Sequence, residues 1–239
     1  GGSVIDMDVA GGLDSYGLIK IGTWGGTGSA VVDGIGSKID NVDFLEVGYN
    51  PEDTVGTRPG SSGSLMIRNG GVVNAVDTVV GTGGTLGGFR GTLNGHLTLI
   101  SGGALDLRDA GFGAFTLNGD LFIDNAGNKL FFDVGSGNRN DTLSIGDYAS
   151  DIDGRLAITL NTIVNNNTYH FNAGEVRTLV TINSSSGDND KPTWAVNGQH
   201  ANFAYYGGFL DDGNHDGQYI FQALNNGGNG TGSRVLDFG

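Results

Sequence analysis

A short repeated string is the feature that most constrains the fold of this chain. The segment 92–97 reads Thr-Leu-Asn-Gly-His-Leu and recurs 24 positions later, at 116–121, as Thr-Leu-Asn-Gly-Asp-Leu. Alternating apolar and polar residues with Gly and Asn between them indicate half-buried strands. A solenoid needs such a repeat because each coil follows the backbone path of the coil before it, whereas sandwiches and barrels need no repeated turn.

A looser motif, Gly-x-Leu-x-Leu/Ile, extends this pattern along the chain. It occurs at 63–67, 95–99, 119–123 and 154–158, with a shifted relative at 17–21. A Gly or Asn turn and a second alternating stretch follow several of these copies, as at 70–73, 102–107 and 128–134. The motif therefore predicts many short strands of similar type separated by tight turns.

The composition agrees with turns and strands rather than helices. The chain has 46 Gly, and by count 23 Asp and 23 Asn, against 3 Glu and 4 Lys. Gly, Asp and Asn are poor in helix interiors and favoured in turns. We therefore predict an all-β fold: a right-handed parallel β-helix (solenoid) of roughly ten coils, at about 20 to 24 residues per coil, with a C-terminal cap.

The residue types change near residue 154. Residues 1–153 hold 33 of the 46 Gly, whereas residues 169–221 hold 9 of the 21 aromatic residues. This predicts Gly-rich coils at 1–153, a C-terminal β-helix cap at 154–224 and a flexible exit or linker at 225–239.

The net charge is −14, and the 12 Lys and Arg are scattered in the sequence, so nucleic acid and anionic membranes are poor partners. No apolar run approaches the roughly 20 residues of a membrane helix, and the first residues lack a signal-peptide pattern. Such a chain is either cytosolic or a processed piece of a longer one. The absence of Cys excludes disulfides, thiolate metal sites and a cysteine nucleophile.

Several segments resemble autotransporter (type V secretion) passenger domains. The segments at 31–37, 45–48 and 63–73 are similar to one passenger repeat, written VDGxGS, LxVG and GxLxIxNGGxV. Those at 141–146, 153–160, 178–180 and 217–221 are similar to the autochaperone-like end of such passengers. The resemblance covers residues 29–224, and the 49–62 insertion, with Pro51 and Pro59, departs from it.

The resemblance implies a secreted chain displayed on the surface of a Gram-negative bacterium. In the whole protein it would be attached to an outer-membrane β-barrel, and its C-terminal end would act as a folding nucleus. A chain without Cys suits this route, because periplasmic oxidation cannot lock it before it crosses the pore.

Two segments are candidate calcium loops. Asp212, Asn214, Asp216 and Gly217 match the first half of an EF-hand loop, but position 12 is Ala223, so the alternative is an Asx-rich hairpin turn. The segment 137–143 is similar to one calcium-binding nonapeptide. Such sites need stacked copies, and the alternative is a plain coil turn.

The candidate catalytic residues are clusters of carboxylates. Asp147, Asp151 and Asp153, with Arg155 nearby, form the best cluster, and Asp211, Asp212 and Asp216 form the second. Clusters in a chain with 23 Asp also arise by chance in turns. The histidines, His96, His170, His200 and His215, lack metal spacing. The 184–186 Ser run has no nucleophile motif, and the 81–86 glycine loop is an incomplete dinucleotide fingerprint.

We therefore predict no enzyme, no catalytic residue, no cofactor and no metal. The expected function is a non-enzymatic adhesin that binds a host matrix or receptor protein, or associates with itself between cells. Self-association would use ladders of Asn, Thr and Asp across two antiparallel rods. The alternatives are the stalk of an enzyme or toxin located upstream and a polysaccharide-cleaving β-helix.

Overall fold

All the secondary structure of the described chain is β-strand. The computed structural model describes residues 2–8, 12–49, 60–108, 111–124, 127–135, 139–147, 149–151, 157–162, 176–183, 195–198, 205–211 and 217–223. No helix occurs in these ranges. The strands are β1 (Gly2–Asp8), β2 (Gly12–Ile21), β3 (Thr27–Asp33), β4 (Lys38–Val47), β5 (Ser62–Arg68), β6 (Val72–Val80), β7 (Gly84–Phe89), β8 (Thr92–Ile100), β9 (Ala104–Asp106), β10 (Ala114–Asn118), β11 (Leu121–Asp124), β12 (Lys129–Val134), β13 (Thr142–Ile145), β14 (Ala149–Asp151), β15 (Ala157–Thr162), β16 (Val176–Ile182), β17 (Ala195–Gly198), β18 (Tyr205–Asp211) and β19 (Gly217–Ala223).

The strands form two sheets between which the chain alternates. The first sheet has the order β1-β3-β5-β7-β9-β12-β15-β17, and all of its pairs are parallel. The second has the main order β2-β4-β6-β8-β10-β13-β16-β19-β18, with β11 and β14 as a short branch from β8. Parallel neighbours that lie one full circuit apart confirm the all-β prediction and are consistent with a β-solenoid.

The two copies of the repeated string lie directly on one another. Thr92 pairs with Thr116, and Leu93 with Leu117. Beyond the glycine, Leu97 pairs with Leu121. The stacking predicted from the 24-residue repeat is therefore confirmed at this place.

The looser Gly-x-Leu-x-Leu/Ile motif does not mark one stacked position. Its copy at 63–67 lies in β5 of the first sheet, whereas the copies at 95–99 and 119–123 lie in the second sheet. Both sheets need an apolar residue at every second position facing the core, so both produce the same short pattern.

The spacing between stacked strands is not constant. Thr85 pairs with Ala104, 19 positions on, whereas Ala157 pairs with Ala195, 38 positions on. Strand pairing fixes the register but leaves the connecting turns free in length. The expected 20 to 24 residues per coil therefore describes only some circuits, and the coil count of roughly ten is not confirmed.

The core lies between the sheets and is built from columns of like residues. Leu65, Leu86, Leu105 and Leu130 are paired in sequence across the first sheet and are fully buried. Each buried Leu contributes about 1.5 to 3 kcal/mol relative to an exposed one. In-register stacking therefore makes one continuous apolar core.

A glycine column brings the two sheets close together at one corner. Gly28 pairs with Gly63, which pairs with Gly84. A Cβ on Gly63 would overlap the backbone of Gly48 and the carbonyl oxygen of Ile21. This corner can close only where side chains are absent.

The described C-terminal strands end the parallel stacking. The strand β16 pairs with β13 in parallel but with β19 in antiparallel orientation, and β18 pairs with β19 in the same antiparallel way. The predicted division between residues 153 and 154 lies outside the described residues and stays a prediction, as do the cap and the exit.

We expect Gly63→Ala to destabilise the protein by about 3 kcal/mol, the upper end of overpacking costs, because the added methyl group meets backbone. The matched control is Gly60→Ala, since a Cβ on Gly60 meets no atom within 4 Å. Urea unfolding followed by circular dichroism measures both changes. Equal midpoints for the two variants would contradict the close approach at this corner.

Candidate functional site

The strands of the second sheet bend after their first three residues, and the first arm forms a separate face. The register shifts between Ile39 and Val42 and between Asn74 and Asp77. In β8 the bend lies at Gly95, whose φ is 112° and whose added Cβ would overlap the carbonyl oxygen of Ala75. We call the outward side chains of this arm the ladder face, and each strand crossing it a rung. The ladder face consists of Lys38, Asp40, Val72, Asn74, Thr92, Asn94, Thr116, Asn118 and Ser144.

A column of hydrogen-bonded side chains runs along the ladder face. Asn74 Nδ2 donates to Asp40 Oδ1 at 2.8 Å, Asn94 Nδ2 donates to Asn74 Oδ1, and Asn118 Nδ2 donates to Asn94 Oδ1 at 2.8 Å. The pKa of Asp40 is below its ordinary value because the Lys38 ammonium, 2.5 Å away, and then the Asn74 amide donate to the carboxylate. The column ties four rungs together through their side chains.

A second column on the same face carries short side chains, most of them hydroxyls. Val72 pairs with Thr92, Thr92 with Thr116, and Thr116 with Ser144. Thr181 of β16 continues the column beyond Ser144. Lys38 pairs with Val72 at the β4 rung, and from Val72 onward the side chains of the column are short. This part of the ladder face is therefore flat, so another flat surface can approach it closely.

Arginine and phenylalanine side chains line the corner that leads into the ladder face. The Arg90 guanidinium lies 4.7 Å from the centre of the Phe89 ring, and that of Arg139 lies 5.3 Å from the Phe112 ring. A Cβ on Gly113, next to Phe112, would lie within 3 Å of both Phe89 and Arg90, so the two pairs adjoin. We call Arg90 and Arg139 the cationic edge.

Two other arginines of the same corner region are held by carboxylates. Arg68 Nε donates to Asp33 Oδ2 at 2.8 Å, and Asn69 Nδ2 donates to Asp33 Oδ1 at 2.7 Å. These two donors, Asn69 first, hold the pKa of Asp33 below its usual range. Arg108 donates to both oxygens of Asp106, which raises the pKa of Arg108. These arginines neutralise nearby carboxylates.

Carboxylates line the opposite edge of the ladder face, at the bend. Asp77 pairs in register with His96, and His96 Nδ1 lies 2.9 Å from Asp120 Oδ2. The carboxylates of Asp43 and Asp77 have no hydrogen bond or ion pair with any residue that the structure describes. We call Asp43, Asp77 and Asp120 the anionic edge.

An open groove of about 400 Å³ lies along this bend. Asp43 and the amides of Asn41, Asn74 and Asn94 contribute its polar wall, and Val76, 58% exposed, contributes apolar surface. A groove with this lining suits a partner that brings both a cation and an apolar group.

The predicted carboxylate clusters lie only partly within the described part of the chain, so they stay predictions. Asp147 follows β13, and its Oδ1 is buried with no hydrogen-bond partner, whereas Asp151 lies in β14, whose backbone pairs with Ile123. Asp153 and Arg155 lie outside the described residues. Asp211 ends β18, and the second cluster otherwise lies outside them as well.

The calcium candidates are placed only in part. Asp212, Asn214 and Asp216 lie outside the described residues. In the nonapeptide-like segment, the buried Asp141 accepts from the backbone N–H groups of Asp133 at 2.6 Å and Gly113 at 3.2 Å. Asp141 thus holds the backbone of β12 in the first sheet and the backbone just before β10.

Among the residues that the structure describes, no group of three or more His, Asp and Glu side chains could hold a metal ion. The remaining histidines, His170, His200 and His215, lie outside those residues, as does the 184–186 Ser run. The 81–86 segment forms the corner before β7 and part of β7 itself. A search of the described residues finds no helix long and apolar enough to cross a membrane.

No protein-family model matches the chain, and no curated protein matches it.

The cationic and anionic edges were not predicted from the sequence. The Lys and Arg residues are scattered in the sequence, yet Phe89, Arg90, Phe112 and Arg139 adjoin in space because their rungs are stacked. One signal was present: Arg90 stands two positions before one copy of the repeated string, and Asp120 lies inside the other.

We expect Asn94→Ala to lower the free energy of unfolding by about 1 to 2 kcal/mol, because it removes both a donor and an acceptor from the amide column. Asn118→Ala, which removes one donor at an exposed position, is the matched control and should cost about half as much. Thermal unfolding of both variants gives the comparison. A larger loss for Asn118→Ala would contradict the role of Asn94 as the connecting member.

Proposed function

We propose that this chain is a non-enzymatic interaction rod, a secreted passenger fragment displayed on a bacterial surface. Its architecture in this proposal is a right-handed parallel β-helix. Right-handed crossovers between parallel strands of one sheet are the rule in about 98% of cases, which supports this hand. Eight strands of the first sheet lie among the described residues, and together with circuits of up to 38 residues they favour fewer than ten coils.

The ladder face is the observation that carries the proposal. It presents two in-register polar columns on consecutive rungs, with exposed or half-exposed side chains throughout. Each side chain can make only a weak contact in water, but the contacts repeat at about 4.8 Å along the stack. A repeating surface of this kind suits adhesion through many weak bonds better than recognition of one small molecule.

The partner in this proposal is a host matrix or receptor protein, or a second copy of the chain. The resemblance of the segments at 31–73 and 141–221 to autotransporter passengers supports surface display. The net charge of −14 opposes binding to nucleic acid. The residues carrying the function are then those of the ladder face and its edges.

The proposal is tested by displaying the chain on non-adherent bacteria and scoring both clumping and binding to immobilised matrix proteins. We expect one of the two to increase relative to bacteria displaying the empty anchor. No increase in either would refute adhesion.

Three matched variants show whether the ladder face is responsible. Thr116→Arg places a long charged side chain on the ladder face, whereas Thr85→Arg and Thr98→Arg place it on the outer faces of the first sheet and of the second arm. We expect Thr116→Arg to reduce the signal at least tenfold and the other two to retain it. Equal loss in all three would assign adhesion to another surface.

A further inference from the structure

The two edges of the ladder face carry opposite charge on neighbouring rungs. The rung of β8 begins after Arg90 and ends at His96, which Asp77 and Asp120 flank on the neighbouring rungs. The rung of β13 begins after Arg139 and is followed by Asp147. The β8 rung therefore has a cation at the corner, and the carboxylates of Asp77 and Asp120 lie at the bend one rung to either side of it.

Three of the charges at these edges have no counter-charge among the residues that the structure describes. The Arg90 guanidinium stacks on Phe89 but forms no ion pair with a described residue, and the carboxylates of Asp43 and Asp77 have no partner among them either. The cationic edge thus includes one cation, Arg90, and the anionic edge two carboxylates, Asp43 and Asp77, without a counter-charge among the described residues.

Arg90 also occupies a backbone position that disfavours it. Its φ is 54°, in the left-handed region, and the residue one rung before it at this corner, Asn69, has a φ of 53°. Asn tolerates this region, whereas a long side chain there costs on the order of 1 kcal/mol. Strain of this kind points to a use for the guanidinium beyond folding.

Symmetry decides which pairing of two ladder faces brings opposite charges together. A two-fold axis parallel to the stack keeps every rung at its own height and exchanges the two edges. Each cationic edge then meets the anionic edge of the other copy, and the hydroxyl column meets the amide column. A two-fold axis across the stack reverses the rungs instead and sets Arg90 on the cationic edge of the partner.

We propose that the ladder face pairs with the ladder face of a second copy in parallel orientation, with the cationic edge of each copy on the anionic edge of the other. In this pair Arg90 reaches Asp77 and Asp120, and Phe89 lies toward the groove that carries Val76. The proposal rests on self-association, one branch of the proposed function, and replaces the antiparallel pairing expected from sequence. Two rods in parallel orientation can be displayed on the same cell surface. The proposed pairing therefore joins neighbouring chains side by side on one cell.

The size of the face predicts a weak pair. Five rungs at about 4.8 Å and an arm of three residues give a patch of roughly 20 Å by 10 Å, well below the roughly 800 Å² per partner of a stable interface. Dense display on one surface raises the effective concentration enough to populate such a contact. Because the attraction is between exposed charges, added salt weakens it.

Single-cysteine cross-linking distinguishes the two orientations. Because the chain has no native Cys, each introduced cysteine is the only thiol that can react. Val72→Cys and Ser144→Cys lie in one column, three rungs or about 14 Å apart. In a parallel pair both variants cross-link to themselves through a short bis-maleimide on the displayed protein. In an antiparallel pair, only the rung that lies on the two-fold axis faces the same rung of the other copy. At most one of the two cysteine variants can therefore cross-link to itself in that arrangement. Self-cross-linking of one variant alone, or of neither, would overturn the proposal.

Charge reversal tests the edges independently of geometry. We expect Arg90→Glu and Asp77→Arg each to reduce cross-linking through Val72→Cys at least fivefold, and a mixture of the two variants to restore it. Lys129→Glu, on the outer face of the first sheet, is the matched control and should have no effect. Arg90→Asn keeps a residue suited to the left-handed backbone, so a loss of cross-linking in that variant reports the charge rather than misfolding.

The outcomes separate this proposal from the proposed function. If the displayed chain causes clumping or binds matrix, but Val72→Cys and Ser144→Cys do not both cross-link to themselves, the parallel pair is overturned and the proposed function is retained. Cross-linking that persists in Arg90→Glu and Asp77→Arg overturns the role of the edges. Loss of cross-linking on addition of a sulfated polysaccharide, with direct binding of that polymer to the chain through Arg90, would assign the cationic edge to a polyanion and also overturn the proposal.

Discussion

Parallel pairing of each strand with the strand one circuit later is the interaction on which the rest of the structure depends. Its in-register form places like residues on like residues, so Leu93 lies on Leu117 and Asn94 on Asn118. The same rule produces the apolar columns inside, the amide column outside and the glycine column at the corner. A change in one strand is therefore felt by the neighbouring circuits, as the overlap of a Gly63 Cβ with the backbone of Gly48 at the corner illustrates.

The surface inherits the same order. Once the bend at Gly95 divides the second sheet, the first arm carries its outward side chains in straight columns, and the charges before and after the arm form two opposite edges. On a globular protein whose charges are scattered over the surface, a patch of this size has no defined positive and negative side. Here the arrangement gives the ladder face a direction, and the proposed parallel pair of two copies follows from that direction.

The sequence was informative where the stacked residues repeat and uninformative where they do not. The Thr-Leu-Asn-Gly string predicted the stacking of β8 on β10 because identical residues occupy equivalent positions. It did not predict circuits of 19 to 38 residues, because turn length between paired strands is weakly constrained. The adjacency of Arg90 and Arg139 was equally hidden, since it depends on the register of corners that share no motif. The segment 137–143 is similar to a calcium-binding nonapeptide in sequence, with a plain coil turn as the alternative, and in the fold its Asp141 accepts backbone N–H groups.

The central claim, in-register parallel stacking, is tested most directly by trapping the register with a disulfide in the otherwise cysteine-free chain. Thr92→Cys with Thr116→Cys places two cysteines on paired positions, at a Cα separation of about 4.8 Å. Thr92→Cys with Asn118→Cys moves one of them two residues along the strand, to about 8 Å, beyond the roughly 7 Å that a disulfide can span. Rapid intrachain oxidation of the first pair and not of the second is the predicted result. Equal oxidation of both pairs, or oxidation of the second alone, would contradict the stacking.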